Sequence, residues 1–167
     1  PEDLLNELKQ DIFNESHVES LAKSVDIYFK NQENKTFLHS ISEHNSVESI
    51  KWLIKKNINI DAIDNNGDTA LIIASRNNAH LSVKKLLELN ANPNIINKKG
   101  KMAIHEAAKH NRIESFQLLK EVTKDLNHKD NKGKDILYYI ISTNNTRVLS
   151  SLLDDKKIDI PDTIVFY

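Results

Sequence analysis

Residues 64–74 read Asp64-Asn65-Asn66-Gly67-Asp68-Thr69-Ala70-Leu71-Ile72-Ile73-Ala74. Asp-Asn-Asn-Gly is a tight turn, because glycine adopts positive φ without steric cost. Thr69 is a favourable helix N-cap, and an apolar helical run follows it. Asn78 then closes that helix, asparagine being the best non-glycine residue for a left-handed stop. A second helix carries Val83, Leu86 and Leu87 at helical spacing. Asn90 ends it in the same way, and Ala91 to Ile96 form an extended connector. Such a unit has an apolar face that it cannot bury alone.

The same unit recurs. The chain has three glycines, Gly67, Gly100 and Gly133, spaced 33 residues apart, and Asn34 lies 33 residues before the first. Asn31, Asp64, Asn97 and Asp130 stand three places ahead of that position, and Leu38, Leu71, Ile104 and Leu137 four places after it. Asn45, Asn78, Asn111 and Asn144 form a further ladder of the same period. Equal units unable to shelter their own faces stack in sequence order into a solenoid.

The pattern Asp-x-x-Gly-x-Thr-x-Leu-x-x-Ala at this period resembles the ankyrin repeat. Residues 64–74 match it best, and Asn97 to Ala108 keep its His and paired Ala. The units at Asn31–His39 and Asp130–Leu137 are more degenerate. The family's Thr-Pro-Leu-His proline is missing from all of them, and Met102 and Asp135 stand where the capping Thr belongs. The resemblance implies an all-α solenoid of stacked helix-turn-helix units joined by β-turn or hairpin loops. The divisions expected are a helical cap or degenerate repeat at 1–30, then repeats at 31–63, 64–96, 97–129 and 130–160. Residues 161–167 are either an extension or the start of a segment that continues further. In the first thirty residues, Leu4, Leu5, Leu8 and Ile12 are expected to share a face. Ser16-His17-Val18-Glu19 reads as a capping box opening a helix that carries Leu21, Val25, Tyr28 and Phe29. Trp52, on the second helix of its unit, is assigned to packing between repeats.

Composition bounds the function. Hydrophobic residues make up 39% and charged residues 28%, and the net charge is −1, so no global field marks the chain for nucleic acid or membrane. With no cysteine, disulfides and thiolate metal sites are excluded. The apolar run Ile136 to Ile141 is far too short to span a bilayer. Each glycine belongs to a repeat turn, which leaves no phosphate-cradling loop. The histidine pairs His39/His44 and His105/His110 follow from the repeat and lack the spacing of a helical metal pair. In the family, the histidine matching His39 and His105 bonds backbone between neighbouring turns, and Tyr138, standing at that position in the last unit, is expected to do so through its hydroxyl. Asp61 to Gly67 only superficially resembles a calcium loop. No cofactor, metal or catalytic residue is expected, and the chain is read as a non-enzyme.

The resemblance implies a protein-interaction module that binds through turn tips and the exposed side of each first helix. There this sequence places Asn66 and Arg76 in the second unit, Lys98, Lys99, Lys101, Lys109 and His110 in the third, and Lys132, Lys134 and Tyr139 in the fourth. The groove thus turns basic toward its C-terminal half, which suits an acidic segment of a protein partner. Nucleic acid is disfavoured, since the stripe lacks interleaved aromatics and arginines. No small-molecule substrate and no membrane are expected, and a cytoplasmic monomer is the reading. The alternatives are a targeting or regulatory region of a larger enzyme, or an effector secreted by an intracellular bacterium into host cytoplasm. The Lys-, Asn- and Ile-rich composition resembles that of AT-rich genomes, where such effectors are common.

Overall fold

The computed structural model describes residues 1–10 and 12–155. The expected extension at 161–167 and the end of the unit at 130–160 lie outside the described residues. Among the described residues ten helices form antiparallel pairs: α1 (Glu2–Leu8) with α2 (Glu15–Ala22), α3 (Phe37–Ile41) with α4 (Val47–Lys55), α5 (Ala70–Arg76) with α6 (His80–Glu88), α7 (Ala103–Lys109) with α8 (Ile113–Lys120), and α9 (Ile136–Ser142) with α10 (Thr146–Asp155). The odd-numbered helices make one layer, in which α1 packs on α3, α3 on α5, α5 on α7 and α7 on α9. In the second layer α4 packs on α6, α6 on α8 and α8 on α10. The result is an all-helical solenoid, as the repeat implies.

The two layers differ for a physical reason. Helices of five to seven residues such as α3, α5 and α7 are too short to persist alone in water. They are held because both sides are covered: Ala70 to Ser75 in α5 and Ala103 to Ala108 in α7 are all buried. The second-layer helices are longer and amphipathic, burying one stripe only, for example Ser82, Val83 and Leu86 in α6. Thr69 Oγ1 accepts the Ile72 amide at 3.3 Å and Asp135 accepts the Tyr138 amide at 2.9 Å, so both cap as expected. Asn78, Asn111 and Asn144 close the first helices at φ of 62°, 56° and 52°. Asn57 and Asn90 stop α4 and α6 at φ of 60° and 65°.

Several local expectations are overturned. Asn45 is not left-handed: α3 ends early, at Ile41, and the reversal is spread over the turn that follows. The Asn45 carboxamide instead accepts the Leu81 amide of the next unit at 3.0 Å. The N-cap of α2 is Asn14, which accepts the His17 amide, and not Ser16. That helix ends at Ala22, leaving Val25, Tyr28 and Phe29 beyond it. Ile12 is 85% exposed because α1 stops at Leu8, so the helical face it was expected to share has already ended. Trp52 is buried, and its Nε1–H donates to Glu19 at 2.8 Å, tying the N-terminal pair to the first full unit.

His39 joins its unit to the next turn, and His105 ties its helix to the connector that ends its own unit. Nδ1 of each faces a backbone amide, Thr36 N–H at 3.1 Å and Met102 N–H at 3.3 Å. An amide only donates, so Nδ1 must be unprotonated and Nε2 must carry the hydrogen. Nε2–H then donates to Asp68 O at 3.1 Å and to His128 O at 2.9 Å respectively. Burial holds both imidazoles below their ordinary value of 6.5, outweighing the backbone acceptors that favour the cation. A depressed folded pKa means that this stability is complete above 6.5 and declines as pH falls, because the unfolded chain takes the proton first.

Two outcomes are expected. The melting temperature falls as the pH is lowered from about 7.5 to about 5, and His105→Gln, which can still cap at N3, lowers neutral-pH stability while flattening that slope. Gly100→Ala destabilises more than Gly133→Ala in urea titrations. Both glycines have positive φ, at 74° and 73°, but a Cβ on Gly100 meets the Asn131 backbone nitrogen at 2.8 Å, whereas one on Gly133 meets nothing within 4 Å. The shared backbone cost is about 1–2 kcal/mol, and the excess at Gly100 measures how closely the turns stack.

Candidate partner-binding surface

Each turn is built on an Asx side chain. Oδ1 of Asn31 accepts the amides of Glu33 and Lys35, Asp64 those of Asn66 and Asp68, Asn97 those of Lys99 and Lys101, and Asp130 those of Lys132 and Lys134, all at 2.8–3.0 Å. The backbone closes the same loop in hairpin fashion, with Asp64 N–H bonded to Asp68 O and Asn97 N–H to Lys101 O. Consecutive loops are then joined tip to tip. Asn65 N–H donates to Glu33 O, Lys98 N–H to Asn66 O and Asn131 N–H to Lys99 O, at 2.9–3.0 Å. The bends at Gly67, Gly100 and Gly133 therefore lie along one edge of the molecule.

This alignment gathers the lysines. Lys98, Lys99, Lys101, Lys109, Lys132, Lys134 and Tyr139 line one hollow of about 380 Å³ together with Asp130 and Asn131. Lys98, Lys99, Lys109 and Lys132 are exposed, and Lys134 is half-buried with its Nζ on the Tyr138 hydroxyl at 2.9 Å. The remaining sequence-derived candidates lie beside the hollow. Asn66 contributes the carbonyl that holds Lys98, while Arg76 and His110 meet beneath at Glu106.

Two side chains depart from the solvent-facing positions read from sequence, and a third from the inward role read for it. Lys101 is buried, its Nζ 4.4 Å from the Tyr139 ring and 3.9 Å from Glu106. Burial pulls its ammonium below the ordinary lysine value, against the pull of Glu106. Tyr139 is buried too, and its hydroxyl donates to Asp130 Oδ2 at 2.6 Å. Burial and the neighbouring Asp130 carboxylate push its phenol far above the ordinary range. Tyr138 does not repeat the role of His39. Its ring is 47% exposed, Asp135 caps its amide, and its hydroxyl turns back to Lys134.

Below the hollow runs a buried ionic network that single-residue reading missed. Arg76 Nη2 bonds Asp68 Oδ2 at 2.7 Å and its Nε bonds Glu106 Oε2 at 3.3 Å. Asn97 Nδ2 donates to the other Asp68 oxygen at 2.7 Å. His110 Nε2 lies 3.2 Å from Glu106. Burial raises the Glu106 carboxyl, but Arg76, Lys101 and Lys109 outweigh it and hold the group ionised below its ordinary value. Arg76 is thus committed to partners inside the protein. The signal was in the register: Glu106 occupies the position filled by Ser40, Ile73 and Tyr139 in the other units, and a carboxylate at an inward position demands a cation.

The first half of the surface carries opposite charge in balance, with Lys35 paired to Glu33 at 2.9 Å and Glu43 exposed. Among the described residues no cluster of His, Asp and Glu could hold a metal ion, and no helix is long and apolar enough to cross a membrane.

No curated protein matches this chain. A family model described as ankyrin repeats in three copies matches residues 10–97 and again 78–163. Together with the stacked helix pairs and the turns aligned on one edge, this match places the chain in the ankyrin-repeat family.

Proposed function

We propose that this chain captures an acidic segment of a protein partner at the basic end of its groove. Ankyrin repeats are generally protein–protein interaction modules and typically non-catalytic. What supports the finer reading is one observation: seven side chains picked out by charge and register line a single hollow between the third and fourth turns. The exposed cations there are Lys98, Lys99, Lys109 and Lys132. The one carboxylate in the lining, Asp130, spends its oxygens on two backbone amides and the Tyr139 hydroxyl, so it offers little competition to an incoming anion.

Lysines on a rim act mainly on encounter rate and salt dependence. Binding of a short glutamate-rich peptide is expected to weaken steeply between about 50 and about 200 mM salt. The Lys98→Glu, Lys99→Glu, Lys132→Glu triple variant, which spares the buried Lys101, is expected to bind about ten- to a hundredfold more weakly and with little salt dependence. Fluorescence anisotropy with the labelled peptide measures both. Equal affinity for the triple variant and the native chain contradicts the proposal.

A further inference from the structure

Lys101 differs from the lysines around it. Its side chain is 7% exposed, yet it reaches the hollow formed by the turn tips. Its ammonium has two neighbours, the Glu106 carboxylate at 3.9 Å and the face of Tyr139 at 4.4 Å. Neither is a hydrogen-bond acceptor at bonding distance. Glu106 is already engaged by Arg76 at 3.3 Å and faces His110 at 3.2 Å. Little of this side chain reaches water, so an anion that supplies acceptors at bonding distance adds to what Glu106 already provides.

The distribution of charge says what kind of anion. An extended acidic chain is best met by cations spread along several units. Here the second unit's Arg76 is neutralised internally, and the first unit's Lys35 is paired with Glu33. The lysines instead line one hollow of about 380 Å³ from two adjacent turns and one helix. The demand is concentrated at a point. A carboxylate brings one charge and two oxygens, whereas a phosphoryl group brings about −1.5 to −2 charges and three acceptor oxygens. Lysine serves phosphate as a point charge, and among the described residues the cations lining the hollow are six lysines and no arginine.

We propose that the acidic segment bound here carries a phosphorylated side chain, whose phosphoryl group enters the hollow and takes hydrogen bonds from Lys101 below and the turn lysines around it. This rests on the reading of the groove as a site for an acidic partner and names that partner's chemistry. It also gives Lys101 a function separate from the rim: Lys98, Lys99 and Lys132 attract, and Lys101 discriminates phosphate from carboxylate.

The test uses the full chain and two labelled peptides, one of glutamates around a central phosphoserine and one with glutamate in its place. The phosphopeptide is expected to bind about tenfold tighter, corresponding to about one charge-assisted hydrogen bond. Lys101→Met, which keeps the apolar stem, is expected to weaken phosphopeptide binding about tenfold more than glutamate-peptide binding and so erase the preference. Lys101→Gln provides a second neutral variant, and a native-like circular dichroism spectrum with cooperative melting certifies that each is folded. Equal affinity of the two peptides for the native chain overturns the phosphate proposal but leaves the acidic-segment reading standing. If neither peptide binds, both fall. A preference that survives in both Lys101 variants overturns the assignment to Lys101. Tighter binding of a single-stranded oligonucleotide of matched charge than of the phosphopeptide overturns the choice of a protein ligand.

Discussion

An Asx oxygen that accepts two backbone amides at the start of every turn is the constraint from which the rest follows. It fixes the hairpin, presents one outward amide to the preceding turn, and so sets the distance and register of successive units. The next residues, Gly67, Gly100 and Gly133, take positive φ because the loop must reverse within a few bonds, and because the following turn passes close to Gly67 and Gly100. Once the tips are in register, each interior first helix finds a neighbour on both sides. Burial then supplies what so short a helix lacks alone.

The same stacking produces the electrostatics. Positions just after the glycine face inward, which puts Asp68 and Lys101 at the floor of the groove with 2% and 5% exposure. Their charges are met from neighbouring units, Asp68 by Arg76 and Asn97, and Lys101 in part by Glu106. Two histidines stitch other backbone edges together, one to the next turn and one to the connector at His128. Residues two or three places earlier, at the turn tips, belong to solvent, and there Lys98, Lys99 and Lys132 are exposed. Floor and rim are built from the same kind of residue and differ only in register.

The fold was legible in the sequence because its requirements are local. A left-handed residue must be Gly or Asn, a turn must open on Asx, and both recur at a fixed period whatever surrounds them. The rim lysines were legible for the same reason, since a turn tip is exposed in any stack. The burial of Lys101 and Tyr139 was harder to see, because it depends on the side chain one unit away. Comparing Ser40, Ile73, Glu106 and Tyr139 down their shared column would have exposed it, as three apolar or small occupants beside one carboxylate mark an inward position with a buried partner. The N-terminal misreadings have a different origin. Asn14 and Ser16 are both good caps, and the choice between them is made by where Val18 must point to reach the core.

Native-state hydrogen exchange at the tips tests the stacking most directly. The amides of Asn65, Lys98 and Asn131 sit on exposed loop residues, where an isolated turn would let them exchange freely, yet each donates to the turn before it. The account predicts that these three are protected together and lose protection together as the array is destabilised, as coupled neighbours do. Exchange at the rate of an unstructured peptide at all three, with the helices still protected, would mean that the turns do not hold one another and that the stack has another basis.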